Sequence, residues 1–202
     1  MSDLYSLLTK EPVNVVTLNR IYSGCRGDPA FASDAMFAMR NLDNDLAWRA
    51  AWLLRRLGQE QRLSDEVLIR IAASADEMAN WIARLNLCQL FSLRGCPKLG
   101  RESLFPFLVE CFSDKRAMLR AWAISALASF ADDTNYRREV LRLIRRAHND
   151  SASSVRARLR HIVVPNQLPD PTSPSVTPPA GAGIAPSVAA DYWDVRQKHG
   201  HT

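Results

Sequence analysis

Over the first 164 residues, apolar side chains recur at intervals of three and four, and no run of β-branched residues alternates with polar ones as a half-buried strand would. Val67, Leu68, Ile71 and Ala72 form one stripe, Leu104, Phe107, Leu108 and Cys111 a second, and Val140, Leu143, Ile144 and Ala147 a third. Each predicts an amphipathic helix with one buried side. Other stretches are apolar around more of the circumference, as in Leu119, Trp122, Ala123, Ala126, Leu127 and Phe130, which predicts helices enclosed between layers. Ser64 before Asp65 and Glu66 marks a helix start. Gly58 and Gly95 mark ends, and Asp28 before Pro29 places a capping residue ahead of a proline at the first helical position. The pattern predicts an all-α chain of short, paired helices.

The pairs repeat with a fixed internal spacing. Asp43 precedes Arg49 by six residues in DNDLAWRAAWLLRRLG, and the same interval separates Asp114 from Arg120 and Asp150 from Arg156. A weaker copy, SADEMANWIARLNLCQLF, has Ser74 and Asn80 in those places. The segment LRAWAISAL, Leu119 to Leu127, and its upstream Asp resemble the signature of the HEAT repeat. That resemblance implies a right-handed α-solenoid of about four helix pairs over residues 28–164. In it the Asp lies in the turn, the Arg begins the second helix, and neighbouring copies form a ladder from Asp43, Asp114 and Asp150 with Arg49, Arg120 and Arg156. Residues 1–27 would cap the first copy through Leu4, Leu7, Leu8, Val15, Val16, Leu18 and Ile21, since a repeat pair cannot bury both its faces alone.

Charge sharpens this picture at one end. The net charge is +5, yet residues 1–135 are balanced and the whole excess lies in 136–164, with eight basic residues against two acidic. Arg137, Arg138, Arg142, Arg145 and Arg146 fall on one side of the fourth first-helix, and Arg158 and Arg160 follow on the next. Three readings stay open for this cluster: a solvating cap, a dock for an acidic protein, or a contact for nucleic-acid phosphate. From Pro165 onward seven of the eleven prolines occur and large apolar residues nearly vanish, which predicts a disordered tail over 165–202. Its last stretch places Val188, Tyr192 and Val195 on one helical face beside Trp193, a short recognition element suited to a hydrophobic groove. No stretch is long and apolar enough to span a membrane, and the N-terminus lacks a signal peptide, so the chain is expected in the cytoplasm.

Candidate chemistry is sparse. Cys25, Cys88, Cys96 and Cys111 are scattered without a paired motif and read as reduced core residues. No metal-spaced cluster, catalytic constellation or phosphate loop stands out, so neither a metal nor another cofactor is expected. Four tryptophans, Trp48, Trp52, Trp81 and Trp122, fall in second helices, where they either fill the core or face a partner; Trp48 and Trp81 are the candidates for exposure. The sequence therefore points to a non-catalytic protein-binding scaffold or adaptor whose partner carries an acidic surface. The alternative is a nucleic-acid-binding protein related to the HEAT-like alkylpurine DNA glycosylases, although no catalytic motif of theirs maps onto these residues. The triplet Arg26-Gly27-Asp28 reads as loop chemistry.

Overall fold

The computed structural model describes residues 3–10, 14–40 and 44–162, all within one compact unit spanning 1–165. Asp43 and the proline-rich tail with Tyr192 and Trp193 lie outside the described residues. Among those described, the secondary structure is ten α-helices and two short 3-10 segments, without a strand. The helices are α1 (Asp3–Thr9), α2 (Val15–Cys25), α3 (Phe31–Met39), α4 (Asn44–Gln59), α5 (Asp65–Ala73), α6 (Trp81–Arg94), α7 (Arg101–Phe112), α8 (Ala117–Leu127), α9 (Thr134–His148) and α10 (Ser153–Leu159). No helix among them is long and apolar enough to cross a membrane.

Local chemistry explains most boundaries. Asn14, Ser64, Asn80 and Asp133 each precede a helix and accept its orphan N–H groups, as from Thr17 N at 2.9 Å and Ile82 N at 2.8 Å. Asp28 accepts the N–H of Ala30 at 2.8 Å, so it caps the turn carrying Pro29 and α3 begins just beyond, at Phe31. Gly95 ends α6 at a φ of 69°, a conformation only glycine adopts without strain. Gly58 serves otherwise than expected. The helix runs on to Gln59, and Gly58 lets α4 approach α6 so closely that a Cβ would come 2.2 Å from Leu90 Cδ1.

Packing follows the two classes of apolar pattern. The broadly apolar helices form a row in which α4 lies against α6, α6 against α8 and α8 against α10. Enclosure is most complete in α6, where every residue from Leu85 to Phe91 is buried. The one-sided helices join this row on their apolar stripes: α3 packs on α4, α7 on α8, and α9 on α10 and on the 3-10 segment Ala128–Asp132. The stripes Leu68, Ile71, Ala72; Leu104, Phe107, Leu108, Cys111; and Val140, Leu143, Ile144, Ala147 are buried as expected, while Val67 of the first stripe is only half-buried against the core. At the N-terminal end α1 touches α3 and α4, and α2 touches α4. Leu4, Leu8, Leu18 and Ile21 are buried there, whereas Leu7 and Val16 are exposed, because each lies on the outward side of a helix only one layer deep. All four cysteines are free thiols, three of them buried.

Candidate functional site

The turns at Asp114 and Asp150 share one construction. Arg120 donates Nη1 to the carbonyls of Asp114 and Lys115, at 2.9 and 3.0 Å, and Arg156 makes the equivalent pair of contacts to Asp150 and Ser151. The Asp at the six-residue interval thus offers its backbone oxygen to the Arg of its own copy. Its carboxylate first caps the turn: Asp114 accepts from the N–H of Arg116 at 2.7 Å and Asp150 from that of Ala152 at 2.8 Å. The link between copies is a two-pronged ion pair in which Arg120 Nε and Nη2 each reach Asp150 at 2.8 Å. Arg49 pairs with Asp45 at 3.7 Å and donates to the carbonyl of Leu8 at 2.7 Å, joining α4 to α1. In the weak copy the residue placed like Arg120 is Arg84. Arg84 is the fourth residue of α6, as Arg120 is of α8, and it reaches Glu110 at 2.9 Å, while Asn80 is the helix cap.

The expected tryptophans and arginines are mostly occupied. Trp48 and Trp81 are half-buried against the core, with the guanidinium of Arg49 5.7 Å from one ring and that of Arg116 5.0 Å from the other. On α9, Arg137 donates to the carbonyl of Ala131, Arg142 pairs with Glu139, and Arg146 lies over Phe112. Arg138, Arg142, Arg145, Arg146 and Arg160 are all exposed to solvent. Arg138, Arg142 and Arg145 line one surface concavity with Asn135 and Glu139, whereas Arg158 belongs to a different site.

Two and five residues beyond Arg84, Arg120 and Arg156 stand Asn86 and Gln89, then Trp122 and Ser125, then Arg158 and, in the turn just after α10, His161. This three-residue spacing lines up one face of each helix. Where α6, α8 and α10 meet, it opens a cavity of about 360 Å³ lined by Ser92, Ser125, Ser129, Asp132, Arg158 and His161, among others. Arg158 is its centre. Nε donates to Ser125 Oγ at 2.8 Å, Nη2 to Ser92 Oγ at 3.4 Å, and the guanidinium lies 3.6 Å from the centroid of the Trp122 ring. The side chain enters no ion pair among the described residues. Burial therefore pulls its pKa below the ordinary arginine value, while the carboxylate of Asp150 raises that of Arg120. Asp132, on the wall, is already held by Arg101 at 2.7 Å.

No family model, curated protein or solved structure matches this chain. What can be read of the site comes from its own chemistry. Among the described residues no group of three or more His, Cys, Asp or Glu side chains could hold a metal ion. Three arginines important to the structure carried no sequence signal of their own. Arg84 was hidden by the shifted register of its copy. Arg101 is buried between Asp132, Asp133 and the carbonyl of Cys96, and Arg55 is buried with Nε on Asn86 Oδ1 at 2.9 Å. Burial lowers the Arg55 pKa to about 10. Their side-chain partners lie about thirty residues away, beyond any local pattern.

Proposed function

We propose that this chain is a non-catalytic protein-binding module of HEAT type, a right-handed solenoid whose second helices form the binding face for an acidic segment of a partner protein. The row from α4 to α10 supports the repeat reading, and the turn contacts shared by Arg120 and Arg156 support its register. The observation that carries the binding reading is the Arg158 pocket, a positive, donor-rich concavity on the row itself. Leu93, 51% exposed in α6 beside the pocket residue Ser92, holds the position that Ser129 holds after α8 and supplies exposed apolar surface on that helix.

A second reading, nucleic-acid binding, is favoured by the exposed Arg138, Arg145 and Arg160. Anisotropy titrations with a glutamate-rich peptide and with duplex DNA separate the two. On the protein reading the peptide binds, Leu93→Glu abolishes binding, and reversal of Arg138, Arg142 and Arg145 to Glu leaves it intact. DNA binding that falls steeply with salt and disappears on the triple reversal supports the second reading instead. A peptide that binds the Leu93→Glu protein as well as the parent removes the second helices as the binding face.

A further inference from the structure

We propose that the pocket around Arg158 is an oxyanion site, which takes a carboxylate or phosphate group carried by the bound peptide. The inference rests on the protein-binding reading for the origin of that group, and on the pocket's own chemistry for its nature.

A guanidinium carries five N–H donors, and Arg158 uses two of them on Ser125 and Ser92. Three are left without a partner among the described residues. Each serine hydroxyl accepts from Arg158 through its oxygen and so keeps its own O–H to donate. His161, on the rim, offers a ring N–H in either tautomer. The one carboxylate on the wall, Asp132, has its charge balanced by Arg101 at 2.7 and 3.1 Å. What remains is a set of donors around one positive charge, half-withdrawn from water and lacking a counter-ion. A cation would be repelled, and a neutral ligand would leave the charge uncompensated. An oxyanion satisfies several donors at once, and Arg presents a planar fork that matches carboxylate and phosphate edges.

Geometry adds selectivity. Trp122 covers one face of the guanidinium and the two serines fix one edge, so the fork is held rather than free to rotate. Holding it in advance lowers the ordering cost of binding. The volume of about 360 Å³ exceeds a lone phosphate or acetate and lies at the small end of ligand pockets, room for an acidic side chain with part of its backbone. Exposed Arg138, Arg145 and Arg160 have none of these constraints and offer only screened attraction.

The test uses the full chain, 15N-labelled, with the Arg158 Nε–H and Trp122 indole signals followed at constant ionic strength. Inorganic phosphate and acetate are titrated separately, then a glutamate-rich peptide and its phosphoserine counterpart. Saturable shifts of both signals are expected, with millimolar dissociation constants for the free ions and at least tenfold tighter binding for one peptide. The preferred ion identifies the source as phosphorylated or merely acidic. Arg158→Met should abolish the Trp122 response with unchanged helicity. If that variant fails to fold, Arg158→Lys, which keeps the charge and loses the fork, and Ser125→Ala should each weaken phosphate binding several-fold. Shifts that never saturate, or that persist unchanged in the Arg158 variants, overturn the oxyanion site. Ion binding without any peptide binding leaves the site standing and sinks the protein-binding reading. Peptide binding indifferent to Arg158 does the reverse.

Discussion

Removing the Asp150 carboxylate should destabilise the fold more than removing that of Asp114, although the two occupy equivalent places in the repeat. Asp150 and Arg120 are mostly buried, with side chains 11% and 15% exposed, and two bonds of 2.8 Å join them. Asp150→Ala leaves a guanidinium withdrawn from water with only the carbonyls of Asp114 and Lys115. Breaking one side of a buried pair costs about 3–5 kcal/mol, and the retained carbonyl bonds bring this to about 2–3 kcal/mol. Loss of the bond from Ala152 N–H at the start of α10 adds about 1 kcal/mol. The sum, about 3–4 kcal/mol, corresponds to a fall in Tm of roughly 10 °C for a domain of this size. Asp114→Ala removes only the contacts with Arg116, since Arg120 uses the Asp114 backbone, and should cost about 1 kcal/mol. Urea unfolding followed by circular dichroism measures both. A cycle with Arg120→Leu should give a coupling of about 1.5–3 kcal/mol between Arg120 and Asp150. Equal costs for the two Asp variants, or a coupling below about 0.5 kcal/mol, would refute the claim that the inter-copy ion pair joins the third and fourth helix pairs.

Three further outcomes follow from the same geometry. Arg120 holds the Asp150 carboxyl below its usual range, so its contribution is full above the unfolded value near pH 3.9 and is lost as pH falls through the lower folded value; the acid limb of stability should flatten in Asp150→Asn, measured by denaturation at stepped pH. Asn86→Ala should cost about 2 kcal/mol by leaving the buried Arg55 N–H without an acceptor, whereas Asn86→Asp, which supplies a counter-charge, should retain stability in the same urea assay. Gly58→Ala gains up to about 1 kcal/mol of helix propensity but drives a methyl into the fully buried Leu90, so a net loss of about 1 kcal/mol is expected by thermal melting.

The helical class, the buried faces of α5, α7 and α9 and the caps at Ser64 and Gly95 were legible in the sequence because each depends on residues within one or two turns of one another. Period and capping are local physics, and the chain states them directly. The Asp-to-Arg interval was legible too, but its meaning was not: spacing places Arg120 near the turn, and only the fold decides that it takes the backbone of Asp114 and the carboxylate of Asp150. Gly58 shows the same divide, since a glycine near a helix end suggests a stop until a neighbouring helix explains it as a close approach. The basic run beyond residue 136 suggested one surface. Tertiary packing divided it, turning Arg137 onto the Ala131 carbonyl, leaving Arg138, Arg142, Arg145, Arg146 and Arg160 exposed, and seating Arg158 between Trp122, Ser125 and Ser92. Arg158 and those partners come from three helices, with residues as many as 66 apart in the chain, and the sequence carries no record of which distant donors will share a pocket. Net charge is additive along a chain, but desolvation and pairing are properties of place, and place is fixed only when the helices stack.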